Sequence, residues 1–461
     1  MRTQGWRSLT LYLLTGLFLL GMGVFLFRLV TEGDMWAMQP YNRHLKTETT
    51  EVQAGGEAIW SGTITDRSGV TLVQTQDGKR QYNDDLSIRK ATLHTVGDLK
   101  GSISTGIQLQ YRAQLLGYNP ITGVNQIQNS SSGSTIELTL DASLCQTALQ
   151  GLGNYKGAVI LMNYKTGDIL CKVSTPTFDP ENLPADIETN NQYKGAYYDR
   201  TLSVTYAPGS TFKVFTAASA IQHFSDWDTR TYTCEGKEII NGNPITCMGT
   251  HGTLDIRQGL AVSCNILYAD LAVDLGAVAL TDTCKQMGFD RNWDLDGITV
   301  KASRINLDGA TEDEIGWAGI GQYTTEVTPY HMMLAANAIA NGGRAVTPHI
   351  ISSITDGNGI VSTPETSYLT LLDSSTAAVL DELMRNDVIV DYGDSNFPAG
   401  MEVCGKTGTA EVGDDKKDTA WFFGYCRNPD TPYAFAVVVE EGGYGRTAAM
   451  PIAISLLQQL A

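Results

Sequence analysis

The sequence lacks the short cysteine and histidine motifs that mark common metal and redox sites. Its eight cysteines form no C-x-x-C pair, which argues against a zinc ribbon or a thioredoxin-like centre. Its six histidines include no H-E-x-x-H segment, the signature of a zinc protease. There is also no internal repeat and no low-complexity tract, and the 47 glycines follow no period. What remains is a globular composition, in which 42% hydrophobic residues can bury a large core.

Positive charge is scarce. The chain has 32 Lys and Arg against 50 Asp and Glu, which gives a formal net charge of −18. Such a surface repels phosphate groups, so nucleic acid is excluded as a partner, and so is an anionic lipid surface as a docking plane. The acidity is typical of a soluble exported domain.

One long apolar run lies near the start of the chain. The segment from Leu9 to Phe27 has no charged residue, and a helix of that length spans a hydrocarbon core of about 30 Å. A cleaved signal peptide is the alternative, but no small-x-small cleavage site follows Phe27. Arg2 and Arg7 precede the run and favour a cytoplasmic N-terminus. We therefore expect residues 1–30 to form a cytoplasmic N-terminus and a single-pass anchor in the cell membrane, with the remaining chain extracytoplasmic.

Two pairs of cysteines are candidates for disulfides in an exported domain. Cys234 and Cys247 flank a segment rich in Gly and Asn that is typical of a hairpin loop. Cys404 and Cys426 are equidistant from residue 415, so they would face each other if a hairpin turned there. Spacing alone leaves both bridges open.

The pattern of predicted strands and helices changes near residue 138. Residues 31–137 alternate short strand-like runs with turns, whereas residues 138–461 combine longer helices and strands. In the second part, Asp141 is placed to cap a helix from Ala142 to Leu152. The other predicted helices are 211–224, 255–262, 266–275, 329–341 and 448–460, and the predicted strands are 157–162, 169–173, 401–406, 420–426 and 433–439. This pattern predicts an α+β fold with helices packed around an antiparallel sheet.

The first chemical motif is a serine followed by a lysine three residues later. Ser210 follows Pro208 and Gly209 and precedes a helical pattern, so it is expected at a helix N-terminus with Lys213 on the same face. A serine hydroxyl is a weak nucleophile until a base takes its proton. Lys213 can be that base if burial and the helix dipole lower its pKa. Alone, the motif is a weak signal, and a plain N-cap at Ser210 is the favoured interpretation.

The second motif, Ser263-Cys264-Asn265, lies between two predicted helices. A turn there presents the hydroxyl of Ser263 and the amide of Asn265 to one cavity. Helix capping is the alternative use of these residues.

The third motif, Lys406-Thr407-Gly408-Thr409, follows a predicted strand. One cation and two hydroxyls form a compact site for a carboxylate, and Gly408 leaves room for a ligand against the backbone. A hairpin strand with a solvated lysine is the alternative.

Together the three motifs occur in the order and context that are typical of penicillin-binding proteins and serine β-lactamases. The chain resembles class B penicillin-binding proteins in further segments: a pedestal element, the first transpeptidase strands, and a G-x-G-Q…T-P stretch. These segments are Gly62–Gly69, Gly157–Pro180, and Gly319–Gln322 with Thr328 and Pro329. The resemblance covers roughly residues 60–450.

The resemblance implies a peptidoglycan D,D-transpeptidase that cross-links stem peptides and is acylated by β-lactams, with no cofactor and no metal. It implies that Ser210 is the nucleophile, Lys213 the general base, Ser263 a proton relay and Asn265 a contact for the substrate backbone. The remaining implied contacts are carboxylate binding by Lys406, Thr407, Gly408 and Thr409, and an oxyanion hole from the amides of Ser210 and Thr409.

The resemblance also implies an anchor (residues 1–30), a pedestal domain (31–137) and a transpeptidase domain (138–461). The pedestal leaves no space for a helical glycan polymerase, so a polytopic membrane glycosyltransferase is the expected partner. A β-lactamase, a D,D-carboxypeptidase and a catalytically silent scaffold or β-lactam sensor remain as alternatives.

Overall fold

The computed structural model describes residues 11–27, 61–76, 79–115, 118–119, 124–125, 133–356, 359–413 and 416–461. Residues 11–27 form a helix with exposed side chains. Within these described ranges, no helix combines the length and the apolar character needed to cross a membrane. The first two residues of the predicted anchor run, 9 and 10, lie outside the described residues.

Twenty-one strands follow one another along the described chain. In chain order they are β1 (Ile64–Thr65), β2 (Thr71–Gln76), β3 (Lys79–Tyr82), β4 (Tyr118–Asn119), β5 (Val124–Asn125), β6 (Thr135–Leu138), β7 (Gly157–Asn163), β8 (Ile169–Thr175), β9 (Thr231–Cys234), β10 (Lys237–Ile240), β11 (Asn243–Thr246), β12 (Gly252–Asp255), β13 (Trp293–Leu295), β14 (Ile298–Val300), β15 (Arg344–Val346), β16 (Ile351–Asp356), β17 (Gly359–Ser362), β18 (Tyr368–Thr370), β19 (Val403–Ala410), β20 (Thr419–Cys426) and β21 (Tyr433–Val439).

The helices after residue 60 lie mostly in the second half of the chain. They are α1 (Leu86–Val96), α2 (Ile107–Gln110), α3 (Arg112–Leu115), α4 (Ala142–Leu152), α5 (Lys213–His223), α6 (Ile256–Ala261), α7 (Asn265–Gln286), α8 (Glu312–Gly319), α9 (Pro329–Ala340), α10 (Ser374–Asp387), α11 (Gly445–Ala448) and α12 (Met450–Leu460). Short 3-10 turns cover Asn191–Tyr193, Gly209–Phe212 and Asp394–Asn396, and a π-helical turn covers Val388–Tyr392.

A six-stranded sheet combines strands from distant parts of the chain, in the order β17-β16-β6-β1-β2-β3. Strand β1 pairs in parallel with β6, and the other pairings are antiparallel. The predicted boundary between residues 137 and 138 falls inside β6, and the partner strand β16 belongs to the later region. Long-range pairing explains this difference, because Ile354 of β16 lies opposite Ile136 of β6 and both side chains are buried. The six-stranded sheet thus combines strands from the predicted pedestal (residues 31–137) with strands from the predicted transpeptidase region (residues 138–461).

The second large sheet carries the candidate site. Its five strands are antiparallel, in the order β19-β20-β21-β7-β8. Every residue of β8 and β20 is buried, so both faces of the sheet are covered. Helices α9 and α10 pack against its strands, as do α4 and α12. The predicted α+β fold is confirmed.

Several predicted elements agree with the structure, and others differ in extent. Helix α4 begins at Ala142 behind the predicted cap, whose carboxylate accepts from two backbone N–H groups. Helix α7 continues past residue 275 to Gln286, with a kink at Gly276 where φ is 73°. The third motif lies inside β19 instead of following a strand.

Neither candidate disulfide is present in the structure, in which all eight cysteines are free thiols. In the β19–β20 hairpin Cys404 pairs with Tyr425, and Cys426 pairs with Val403. Side chains alternate along a strand, so Cys404 and Cys426 point to opposite faces of the sheet. The register is one residue away from the symmetric hairpin that the sequence suggested. Cys234 and Cys247 do lie close together, but as members of a larger thiol cluster.

Candidate active site

Ser210 lies on a tightly held backbone turn. The 3-10 turn Gly209–Phe212 leads directly into α5, which places Ser210 at the start of a helical segment as predicted. Gly209 has a φ of 54°, and a Cβ there would lie 2.3 Å from the carbonyl oxygen of Thr409. On the other side, the Gly209 N–H donates to the carbonyl of Gly321 at 2.9 Å. The serine is therefore fixed between strand β19 and the Gly319–Gln322 segment.

Four polar groups surround the amine of Lys213. Its Nζ lies 3.0 Å from Ser210 Oγ, 3.2 Å from Ser263 Oγ, 2.6 Å from the Ser263 carbonyl oxygen and 2.7 Å from Asn265 Oδ1. Ser263 has a φ of 53°, a left-handed conformation that turns the chain between α6 and α7. The structure thus joins the first two sequence motifs around one buried amine.

The hydrogen-bond pattern suits a neutral amine with its lone pair directed at Ser210. The Ser263 carbonyl and Asn265 Oδ1 can only accept, and the Asn265 amide is oriented by its Nδ2 donating to the Thr246 carbonyl at 2.9 Å. A neutral amine has two N–H donors, which satisfy these two acceptors. The lone pair then remains to accept the hydroxyl proton of Ser210, as a general base requires.

The electrostatics of the site favour the same protonation state. Burial, followed by the positive charge of Lys406, lowers the pKa of Lys213 to about 7. The Lys213 side chain is completely buried, so the charged form loses its hydration. A substantial fraction of the amine is therefore neutral near neutral pH.

The third motif forms one wall of the site along edge strand β19. Lys406 is buried, and its Nζ donates to the Tyr392 hydroxyl at 3.2 Å. The N–H of Thr407 also donates to Tyr392 Oη, at 3.0 Å, so it points away from β20. Because strand N–H groups alternate in direction, the N–H of Thr409 points to the same open edge. Strand β19 can therefore present a backbone donor beside Ser210.

Gly408 lies against protein atoms, whereas the sequence analysis expected a ligand there. A Cβ at this position would lie 2.7 Å from the Pro208 carbonyl oxygen and 2.8 Å from Thr211 Cγ2. The Ser210 turn itself, and not a ligand, lies against this glycine. Gly408 therefore sets the distance between the first and third motifs.

Two residues of the site were missed by the sequence analysis. Tyr392 lies in the π-helical turn after α10 and contacts both Lys406 and Thr407. Asp387, at the end of α10, is completely buried, and neither of its carboxyl oxygens has a hydrogen-bond partner among the described residues. Burial raises the pKa of Asp387 to about 8, against the effect of the Lys406 charge. No short motif marks either residue. Tyr392 lies 14 positions and Asp387 19 positions before Lys406 in the sequence, and only the fold brings them near the third motif.

A family comparison fits this geometry. The model of the penicillin-binding protein transpeptidase domain matches residues 157–458, which is more than half of the chain. The chain belongs to this family. The matched region contains all three motifs and the whole five-stranded sheet, so the sequence-based recognition of a class B penicillin-binding protein is confirmed.

Curated relatives carry names from the same family. The chain is 28% identical over 360 residues to the peptidoglycan D,D-transpeptidase PbpA of Mycobacterium tuberculosis, covering 71% of this chain and 72% of that protein. It is 27% identical over 384 residues to penicillin-binding protein 3 of Bacillus subtilis, covering 78% of this chain and 55% of that protein.

Solved structures show the same architecture. The D,D-transpeptidase domain of a peptidoglycan glycosyltransferase from Eggerthella lenta matches with a TM-score of 0.73 and 26% identity, over 87% of this chain and 98% of that one. Penicillin-binding protein A from M. tuberculosis, in its penicillin G acyl-enzyme complex, matches with a TM-score of 0.76 over 87% of this chain and 100% of that one. At 24% identity this second likeness concerns the fold alone.

Proposed function

We propose that this protein is a peptidoglycan D,D-transpeptidase that cross-links stem peptides through an acyl-enzyme on Ser210, and that β-lactams acylate the same serine. The observation that carries the proposal is the buried Lys213 amine, 3.0 Å from Ser210 Oγ, with its pKa lowered to about 7. A base with a pKa near the working pH gives efficient proton transfer.

The acylation step uses the contacts around Lys213. Ser210 Oγ attacks the carbonyl carbon of the penultimate D-alanine while its proton passes to Lys213 Nζ. When the tetrahedral intermediate collapses, the departing D-alanine nitrogen takes a proton through Ser263 Oγ, which lies 3.2 Å from Lys213 Nζ. An amine from a second stem peptide then attacks the ester carbonyl and releases Ser210, which completes the cross-link.

Strand β19 supplies most of the binding groups for this step. The amides of Ser210 and Thr409 form the oxyanion hole, where one donor contributes about 3 kcal/mol to transition-state stabilisation in comparable sites. Lys406, Thr407 and Thr409 hold the terminal carboxylate, and Asn265 contacts the substrate backbone. Tyr392 fixes the Lys406 and Thr407 side chains, since its hydroxyl lies 3.2 Å from Lys406 Nζ and 3.0 Å from Thr407 Oγ1.

Mass spectrometry after penicillin treatment tests the assignment of the nucleophile. The intact protein should gain one penicilloyl group, and peptide mapping should place it on Ser210. Ser210→Ala should show no adduct, whereas the control Ser219→Ala, in the buried part of α5, should be labelled normally. A full-yield adduct on Ser210→Ala would disprove the assignment. Turnover of a lipid-linked pentapeptide polymer to cross-linked dimers, and not only to shortened stem peptides, separates transpeptidation from carboxypeptidation.

We also propose that residues 9–27 anchor the enzyme in the cell membrane with the catalytic region outside, beside a polytopic glycosyltransferase that supplies the glycan strands. The uncharged run of 9–27 supports this topology, together with the arginines that precede it. Replacing Leu9–Phe27 with an unrelated membrane helix should weaken co-purification with the polymerase and leave penicillin labelling unchanged. Unchanged co-purification would remove the membrane contact from the proposal, and glycan polymerisation by this chain alone would remove the need for the partner.

A further inference from the structure

A cluster of three thiols and one imidazole lies next to the second motif. Cys234, Cys247, His251 and Cys264 each offer one ligand atom, and these atoms all lie within 4.8 Å of one another. Two of the four residues are buried and the other two are partly exposed. Cys264 is the middle residue of the Ser263-Cys264-Asn265 motif.

The fold assembles this cluster from three separate elements. Cys234 ends β9 and lies opposite Gly252 of β12, next to His251, whose N–H donates to the Cys234 carbonyl. Cys247 follows β11 and donates its N–H to the Gly236 carbonyl. Cys264 is the N-cap of α7. Because no two of the cysteines share a C-x-x-C segment, the sequence motif search could not find them.

Three of the six distances between ligand atoms in the cluster match those expected around a tetrahedral zinc ion. With bonds of about 2.3 Å to sulfur and about 2.0 Å to nitrogen, such an ion holds two sulfurs about 3.8 Å apart and sulfur and nitrogen about 3.5 Å apart. The Sγ atoms of Cys247 and Cys264 are 3.9 Å apart. His251 Nδ1 lies 3.6 Å from Cys234 Sγ and 3.5 Å from Cys247 Sγ. A disulfide needs an S–S distance of about 2.05 Å, so this spacing suits a shared ion better than a bridge.

Backbone donors support negative charge on the sulfurs. The N–H of Asn265 lies 3.3 Å from Cys247 Sγ, and the N–H of Leu267 lies 3.4 Å from Cys264 Sγ. N–H groups directed at sulfur stabilise thiolates and orient them toward a metal. Three soft sulfur ligands and an imidazole in tetrahedral spacing favour zinc over the hard cations that prefer oxygen.

We propose that Cys234, Cys247, His251 and Cys264 bind one structural zinc ion, and that this ion fixes the position of the Ser263-Cys264-Asn265 turn. This departs from the expectation of a metal-free enzyme. The ion would connect the β9–β12 region to the turn that carries three of the four polar groups around Lys213. All four positions are taken by protein ligands, so the ion has no site for substrate. The positioning role, unlike the metal site itself, rests on the proposed function.

The metal content of the full chain tests the site directly. Protein purified under reducing conditions without chelators should contain about one zinc per chain by elemental mass spectrometry. His251→Asn and Cys264→Ser should lower this content severalfold, while Cys284→Ala, which removes a buried thiol elsewhere in α7, should not change it. Replacement of zinc by Co²⁺ in the wild-type protein should give the intense visible bands of a tetrahedral thiolate complex. Because these bands are measured on the wild-type protein, they test the site even if a variant fails to fold.

Two results would overturn the zinc site. One is wild-type protein that holds neither zinc nor Co²⁺ under these conditions. The other is an intact mass with a Cys234–Cys247 disulfide as the resting state.

Acylation by benzylpenicillin tests the positioning role. His251→Asn should acylate at least tenfold more slowly than Cys284→Ala, and the loss should be in the rate constant and not in the labelled fraction at long times. Normal acylation by zinc-depleted His251→Asn protein would remove the positioning role. Full zinc content without any acylation of the wild type would refute the proposed function and leave the metal site standing.

Discussion

The protonation state of Lys213 gives the sharpest prediction. The reactive form is the neutral amine, and its pKa is lowered from 10.5 to about 7. With this value, about a tenth of the molecules hold the neutral amine at pH 6 and about nine tenths at pH 8. If proton transfer from Ser210 limits acylation, the second-order rate constant with benzylpenicillin should rise about tenfold between pH 6 and pH 8. It should level off above pH 8.

The source of the pKa shift can be tested in the same assay. Lys406 is the second cause of the lowered pKa of Lys213, after burial. Removing its charge with Lys406→Met should therefore raise the pKa of Lys213 and move the midpoint of the rate profile to higher pH. The exposed Lys194 serves as a matched control, since Lys194→Met changes the net charge equally without lying in the site.

Rapid-mixing measurements with a fluorescent penicillin, from pH 5.5 to 9, give the rate constants for all three proteins. Midpoints are compared instead of absolute rates, because Lys406→Met also weakens binding of the carboxylate. A profile that is flat between pH 6 and pH 8 in the wild type would refute Lys213 as the base. An unshifted midpoint in Lys406→Met would show that burial alone sets the pKa.

Three further variants test individual contacts. Tyr392→Phe removes the acceptor of the Thr407 N–H. A lost buried hydrogen bond costs about 1–3 kcal/mol, so acylation should slow about tenfold to a hundredfold. Circular dichroism is the control that the variant is still folded. Asp387→Asn should raise the free energy of unfolding at pH 7 by up to about 4 kcal/mol. Burial raises the pKa of Asp387 from 3.8 to about 8, so this acid lowers the free energy of unfolding of the wild type as the pH rises from about 4 toward 8. Urea melts of Asp387→Asn should therefore show no gain in stability over the wild type at pH 4. Gly408→Ala places a Cβ 2.7 Å from the Pro208 carbonyl and should lower both the melting temperature and the acylation rate; an unchanged melting temperature would contradict this contact.

Local patterns predicted the elements that depend on local physics. Helix α4 was predicted from its Asp141 cap, and strand β21 was predicted with the bounds that the structure gives it. Ser210, Lys213, Ser263 and Asn265 were singled out by motif order, and the structure places them around one amine. Short motifs can be recognised in a sequence because residues that are neighbours in the chain determine the local backbone geometry.

Contacts between distant segments were the part that sequence could not supply. The register of the β19–β20 hairpin differs by one residue from the symmetric expectation, which was enough to separate Cys404 from Cys426. Tyr392 reaches Lys406 from the π-helical turn that follows α10, a contact between segments that are distant in the sequence. The pairing of β9 with β12 brings Cys234 next to His251, while Cys247 follows β11 and Cys264 caps α7, and no local pattern encodes the approach of these elements.

The shared six-stranded sheet has a consequence for how this protein can be divided. Strand β6 lies between β1 and β16, so a fragment beginning at residue 138 would leave the ladder edge of β16 unpaired. Exposed edges of this kind recruit other chains, and such a fragment is expected to aggregate. Unfolding of the regions on either side of residue 138 should likewise be coupled, because both supply strands to the six-stranded sheet. What reads along the sequence as two successive domains is, in cooperative terms, one unit, in which strands from before residue 138 help to hold the catalytic region folded.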